Sequence, residues 1–273
     1  MGKLFPKLAL VGAILAILVW ALGPLYLLVL VSFTPESATV SSLGFPRGLS
    51  LEHYRQVLGG NQALWHFLYN SSAVSLGTVA AVLCLALPAA YALARWQALL
   101  SRLLYTGFFW LRMFPPISLT IPFYLIFSKA GLLDTKLGLI LALVPLNIPL
   151  AVWILAGFIG SVPREMEEAA WIDGASQVRT LTRIVLPMAI NGIIATGIFI
   201  FLEAYTHYLL ALVITNVKAA PLTIYIAGQQ TDYRFLVGPM LSAAFVGTLP
   251  MIILYMVSLK HLRRVAIAGG ITL

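Results

Sequence analysis

The chain reads as an all-α integral membrane protein, and three observations lead there. Hydrophobic residues fill 61% of the 273 positions and charged residues 10%, against roughly 25% charged in an ordinary soluble domain. The apolar residues gather into six runs, 8–31, 70–94, 103–128, 137–160, 188–215 and 236–259. Each is long enough to cross the ~30 Å hydrocarbon layer as a helix of about 20 residues. Four of the nine acidic residues sit in one polar stretch, 161–187, between the fourth and fifth runs. Because hydrocarbon offers no partner to a backbone N–H or C=O, helices are the form these runs take. They use most of the sequence, so a single transmembrane domain over 1–273 is expected, with no separate soluble module.

The first run follows Lys3 and Lys7 and resembles a secretory signal in its flank, but at 24 residues it exceeds the ~7–15 of a signal core and is expected to stay as an anchor. Beyond it, Pro35, Gly44, Pro46, Gly48, Gly59 and Gly60 punctuate an outer segment in which 51–58 forms one short interfacial helix. Tyr54, Trp65 and Tyr69 suit the headgroup zone. His53 and His66 lack ligand partners at metal spacing and read as surface residues. Cys84, the only cysteine, reads as a small buried side chain and excludes an internal disulfide.

In the third run Pro115, Pro116 and Pro122 remove backbone donors, so that helix must kink or partly unwind. Pro145, Asn147 and Pro149 are expected to break the regularity of the fourth in the same way. Between the fifth and sixth runs, the loop 216–235 carries Gln229, Gln230, Asp232 and Arg234, which suit a hydrophilic partner outside. The tail begins basic and ends on a flexible Gly269-Gly270 pair.

Basic residues set the orientation. With the N-terminus inside, the inner side carries Lys3, Lys7, Arg95, Arg102, Arg164, Arg179, Arg183, Lys260, Arg263 and Arg264, ten in all. The outer side carries Arg47, Arg55, Lys129, Lys136, Lys218 and Arg234, six in all. Both termini and the stretch 161–187 are therefore expected in the cytoplasm. The net charge of +8 is dispersed over these loops, which speaks for lipid headgroups and against a nucleic-acid surface.

The stretch 161–187 has its own physical logic. Ser161 is placed to cap a helix with Pro163 in its first turn, and Glu165, Glu167 and Glu168 load the N-terminal turns against the helix dipole. Gly174 permits a left-handed stop. Ser176 caps a second helix whose apolar positions Val178, Leu181 and Val185 recur at helical spacing. The expectation is helix, glycine turn, helix, held at the membrane surface.

Two charges, Arg112 and Glu203, fall inside runs, where each needs a partner or water. Either they pair, directly or through water, and fix the third span against the fifth, or each meets backbone carbonyls, water or another subunit. Tyr124, Asn147, Tyr205, Thr206, His207 and Tyr208, with Glu203, are candidates to line a polar path, the alternative for each being helix packing. No GxxxxGK[ST] phosphate loop, HExxH, GxSxG or Cys/His ligand set occurs, so catalysis and nucleotide binding by this chain are not expected.

Glu168, Ala169 and Ala170, then Gly174, Ile184, Leu186 and Pro187, spell EAA-x3-G-x9-I-x-LP. This resembles the cytoplasmic coupling motif of permeases in ATP-binding-cassette importers. SLEHYRQVL, the Asn70-Ser71 pair, AAYALAR and LRMFPPISLTIPFYLIFSKAGLLDT are similar, in order, to segments of maltose-type carbohydrate-uptake permeases, and the tail is similar apart from a missing final basic residue. The family usually carries a Trp-Asn pair where this chain has Tyr205 and Thr206, followed by His207.

The resemblance implies six transmembrane helices in the type I importer permease fold, in a bacterial inner membrane. It implies import of a sugar or polyol, and a coupling surface at Glu167, Glu168, Ala169, Ala170, Asp173, Gly174, Ile184, Leu186 and Pro187. The implied partners are a second permease, two nucleotide-binding ATPase subunits that hold ATP and Mg, and an extracytoplasmic binding protein. The rival reading is an ion-gradient-driven transporter that uses Glu203 as its relay.

Overall fold

Helix dominates residues 4–35, 48–59, 64–96, 99–231, 234–235 and 237–268, which the computed structural model describes. Lys3, Gly44, Pro46, Arg47, Gly60, Asp232, Gly269 and Gly270, all singled out above, lie outside the described residues. In order come α1 (Leu4–Ser32), α2 (Glu52–Gly59), α3 (Leu64–Arg95), α4 (Leu99–Arg112), α5 (Thr120–Lys129), α6 (Lys136–Gly160), α7 (Arg164–Ile172), α8 (Gln177–Thr180) and α9 (Leu186–Met188). Then follow α10 (Ile190–Thr206), α11 (Leu209–Ile214), α12 (Leu222–Gly228) and α13 (Val237–Ala268). Among the described residues the strands form one short antiparallel ladder, β1 (Gln230–Thr231) with β2 (Arg234–Phe235).

Four helical stretches are long and apolar enough to span a bilayer alone: Leu10–Ser32, Leu64–Arg95, Lys136–Gly160 and Val237–Leu259. Two bent pairs bring the number of candidate spans to six. In the third run, Leu103–Arg112 meets Pro116–Lys129 at 86°. The prolines explain the break: α4 stops before Pro115, and a 3-10 turn over Pro116–Leu119 uses residues whose missing N–H costs little at a helix start. Where the stretch 161–187 enters the fifth run, Gln177–Met188 meets Ile190–Thr206 at 78°, and the helix stops again before α11, where His207 is extended.

The fourth run behaves differently from expectation. Pro145 and Pro149 lie inside an unbroken α6; as neighbours on one face, they interrupt the ladder without ending the helix. The second helix begins at Leu64, ahead of the expected Asn70.

The chain forms two compact units. One gathers Met1–His66 and Tyr225–Leu249. There Ser242 donates to the Ser32 carbonyl at 3.2 Å, and the Ser32 and Tyr54 hydroxyls are 2.8 Å apart. His53, expected at the surface, is buried, with Nε2 2.9 Å from the Thr34 carbonyl. The segment before α2 folds back so that Ser50 N–H reaches the Phe33 carbonyl at 2.8 Å, and the His53 ring lies against Gly238, where a Cβ would overlap it.

The other unit gathers Phe67–Ile224 and Pro250–Leu273. One core joins Val82, Ala86 and Ala90 of α3 to Val152, Leu155 and Ile159 of α6 and to Ile200 of α10. A second joins Val74 and Phe127 to Leu139 and Leu143 and to Leu210 and Ile214 of α11. Small residues at these seams let backbones approach, the form helix packing takes when lipid removes the hydrophobic incentive. At Gly192 a Cβ would overlap the Phe158 ring, so α10 meets α6 there only through glycine. Cys84 is exposed, contrary to expectation, because α3 turns Val82 and Ala86 inward and leaves the residue between them outside.

The connection after α11 is tied down by side chains. Asp134, at φ 53°, enters the left-handed region that Asp tolerates better than most residues. Its carboxylate accepts the N–H groups of Asn216, Val217, Lys218 and Ala219 at 2.9, 3.3, 3.1 and 3.0 Å. On the other side, Asn70 Nδ2 donates to the carbonyls of Lys218 and Ala220, and Ser71 Oγ accepts Leu222 N–H at 2.8 Å. The Asn70-Ser71 pair thus fastens the base of the loop.

Burial pushes the Asp134 carboxyl up, but the four N–H groups outweigh it and hold it below the ordinary carboxylate value. Such a group stabilises the fold above its unfolded pKa, and that contribution disappears as pH falls through the lower folded value. Asp134→Asn keeps the shape and loses one charged acceptor. We expect it to unfold at lower temperature than the parent near neutrality, with the gap closing as pH drops through the acidic range. Thermal unfolding in detergent across pH checks this; a pH-independent gap contradicts it.

Candidate functional site

The stretch 161–187 begins where α6 ends. Ser161 closes α6 instead of opening α7: its N–H bonds back to Gly157 and its hydroxyl donates to the Phe158 carbonyl at 2.7 Å. The α7 N-cap position is Pro163, extended at ψ 136° and with no side-chain cap. The dipole then acts through Glu165 and Glu167 in the first turn, as the charge pattern predicts.

Glu167 does more than load a dipole. It is 2% exposed and meets Arg95 Nη2 at 2.5 Å, while Tyr91 OH donates to its other oxygen at 2.6 Å. Arg95 also donates to the Val162 carbonyl at 2.9 Å, and Arg164 returns a bond to the Arg95 carbonyl at 2.8 Å. The C-terminal end of α3 is therefore bolted to α7. A buried carboxylate so paired orients more than it stabilises, because removing it from water offsets much of the attraction.

The opposite face of α7 is open. Glu168, Ala169 and Asp173 are exposed, as are Met166, Trp171 and Ile172, the last at 87%. Ala170 is buried beside Glu167. The helix stops through Gly174 at φ +81°; its N–H reaches the Trp171 carbonyl at 3.0 Å, and Ala175 N–H reaches Ala170 at 2.9 Å. Ser176 then caps α8, its hydroxyl accepting Arg179 N–H at 3.4 Å.

The second helix of the pattern is not uniform. Leu181–Val185 forms a π turn closed by Leu186 N–H on the Leu181 carbonyl. Pro187 explains it: without an N–H it leaves the carbonyl of Arg183 unbonded, and the widened turn accommodates the ring. Ile184 and Leu186 are half-buried and Val185 fully so, whereas Val178, expected on the apolar face, is 71% exposed. It joins Ile172 as an outward apolar side chain.

Deeper in the same unit, Arg112 and Glu203 pair directly at 3.0 Å. Arg112 ends α4 at the break, Nη1 donates to the Leu146 carbonyl at 3.2 Å, and the guanidinium lies 5.9 Å from the centre of the Phe199 ring. The pair lines a cavity of about 550 Å³ that also takes in Phe114, Pro145, Asn147 and His207. Asn147 is 4% exposed; Nδ2 donates to the Leu143 carbonyl, and Oδ1 has no partner.

Of the candidate path residues, Asn147, Glu203 and His207 meet there. Tyr124 and Tyr208 are exposed away from it, Thr206 donates to the Leu202 carbonyl, and Tyr205 is buried, stacked on Phe201 at 5.5 Å between centres. Sequence reasoning missed Tyr91 and Arg95 as the holders of Glu167, and the outward Trp171 and Ile172. Two large apolar residues beside Asp173 and Gly174 in a polar stretch were the available signal.

Comparison with known proteins follows this geometry. The family model described as binding-protein-dependent transport system inner membrane component matches residues 83–266. The trehalose transport system permease protein SugB of Mycobacterium tuberculosis is 31% identical over 87% of this chain and 88% of its own. The sulfoquinovosyl glycerol transport system permease protein SmoH of Agrobacterium fabrum is 32% identical over 83% of this chain and 80% of its own. Among solved structures, a bacterial ABC transporter involved in the import of the acidic polysaccharide alginate superposes with a TM-score of 0.79 at 20% identity, covering 94% of this chain and 97% of that one. At that identity the likeness is one of fold.

Proposed function

Since this chain belongs to the family of inner membrane components of binding-protein-dependent transport systems, we propose that it is the permease subunit of an ATP-driven importer for a sugar or polyol. The sugar class rests on the relatives, whose named cargoes include trehalose and sulfoquinovosyl glycerol. Its single permease domain, 1–273, sits in a bacterial inner membrane with both termini cytoplasmic. It works beside a second permease and two ATPase subunits, which supply ATP and Mg, and receives cargo from an extracytoplasmic binding protein.

The observation that carries this reading is the two-faced α7. One face is locked to α3 through Glu167 and Arg95. The other presents Glu168, Trp171 and Ile172 outward, beside a glycine turn. A subunit that grips Trp171, Ile172 and Val178 moves α7, and the buried ion pair passes that movement to α3 as a rigid body. Glu168, Ala169, Asp173 and Gly174 belong to the gripped surface; Ala170, Ile184, Leu186 and Pro187 shape it from behind. The gradient-driven alternative loses ground because the Glu203 carboxylate is already paired with Arg112 at 3.0 Å.

Single cysteines in a Cys84→Ala background test topology and docking together. Val217→Cys should react with an impermeant maleimide added outside. Ile172→Cys should react only after permeabilisation, and more slowly once the ATPase is bound. Outside labelling of Ile172→Cys, or labelling indifferent to the ATPase, contradicts the reading.

A further inference from the structure

We propose that residues 216–223 form a strap that holds the break between α10 and α11 in its interrupted form, with Asp134 and Thr223 as positioning residues at its two ends. The proposal rests on the import reading and its topology, which puts the loop after α11 outside. It deepens them by naming how an outer event reaches the spans.

Three observations carry it. Residues 215–221 form neither helix nor strand, so their backbone groups need partners from elsewhere, and distant side chains supply them. Asp134 takes the N–H groups of 216–219, Asn70 donates to the carbonyls of Lys218 and Ala220, and Ser71 accepts Leu222 N–H. The strap is also exposed at one end and buried at the other. Asn216, Val217 and Lys218 face outward, while Ala219, Ala220 and Leu222 are at most 3% exposed.

The buried end reaches the break. In α11 the Tyr208 carbonyl takes Leu212 N–H at 2.9 Å, and Tyr208 is its N-cap, which leaves the His207 carbonyl outside the helical ladder. The Thr223 hydroxyl donates to that carbonyl at 3.3 Å. The next residue, Ile224, packs on the core shared by Ala204 of α10 and Leu210 and Ala211 of α11. Straightening α10 into α11 would aim the His207 carbonyl along the axis at Ala211 N–H, and Thr223 would lose its acceptor. The strap therefore favours the break, and a binding protein that loads Asn216, Val217 and Lys218 shifts the balance between broken and straight forms without touching the spans.

The test uses the assembled importer in sealed vesicles, below the unfolding temperature of every variant. ATP hydrolysis is measured with and without binding protein loaded with trehalose or maltose. Thr223→Val keeps the shape and removes the donor. It should cut stimulation by the binding protein about fivefold, the scale of one net hydrogen bond, with basal hydrolysis and melting temperature unchanged. Thr223→Ser should restore it. Asp134→Asn should also lower stimulation, and joining it to Thr223→Val should add little, because both act through one strap. Full stimulation in Thr223→Val, a serine variant as deficient as the valine one, or additive losses in the pair overturns the strap and leaves the import reading standing. So does a fall in melting temperature with basal and stimulated hydrolysis lost in equal proportion, which marks a purely structural bond. A parent importer that ignores the loaded binding protein contradicts the import reading itself, and the strap with it.

Discussion

Gly174→Val should leave the protein inserted in the membrane and cut transport at least tenfold, with ATP hydrolysis no longer answering to cargo. The cause is backbone conformation alone. At φ +81° a Cβ would meet nothing within 4 Å, so no clash is introduced. A β-branched residue nevertheless resists the left-handed region, at a cost of roughly 1–2 kcal/mol. The chain relieves that cost most easily by unwinding the turn between α7 and α8, which tilts the surface carrying Trp171 and Ile172. Gly174→Asn, which tolerates positive φ, should retain much of the activity. Reconstituted uptake and ATPase assays on the three proteins decide it; normal transport by the valine variant means the turn is not the joint between motor and membrane.

Glu167→Ala should have the largest effect on stability. It strands the Arg95 guanidinium, 15% exposed in its side chain, and removes the acceptor for Tyr91 OH. Breaking a buried pair from one side costs about 3–5 kcal/mol, and the partial exposure of Arg95 puts the expectation near the lower end. Arg95→Met with Glu167→Leu should recover most of the lost melting temperature, because neither charge is then stranded. It should not recover coupling of ATP hydrolysis to transport if the ion pair fixes the angle between α3 and α7. Additive losses in the double variant would mean that the two residues act separately.

The sequence carried the architecture because its signals were local. Run length against bilayer thickness placed the spans, and the prolines at 115 and 116 announced the broken third span. Gly174 and Ser176 announced the turn and cap they form. Features that depend on distant residues were not legible. Glu167 reads as a dipole partner until Arg95, 72 positions earlier in the chain, is brought beneath it. His53 and Cys84 were assigned to the wrong environments because one residue carries no record of which face of its helix finds a neighbour. Arg112 and Glu203 were visible as charges in apolar runs, but whether they met depended on the bend that ends α4. Pro145 and Pro149 misled in the other direction, since their shared face lets α6 continue.

Energy source is the most direct measure of the central claim. The permease reconstituted with its partner permease, ATPase subunits and binding protein into sealed vesicles is loaded on the cytoplasmic side with either ATP and Mg or a proton or sodium gradient, and uptake of radiolabelled trehalose and maltose is followed. Accumulation that requires ATP, survives ionophores and falls at least tenfold with Gly174→Val is the predicted result. Accumulation driven by the gradient without ATP, collapsed by an ionophore and abolished by Glu203→Gln, would contradict the account.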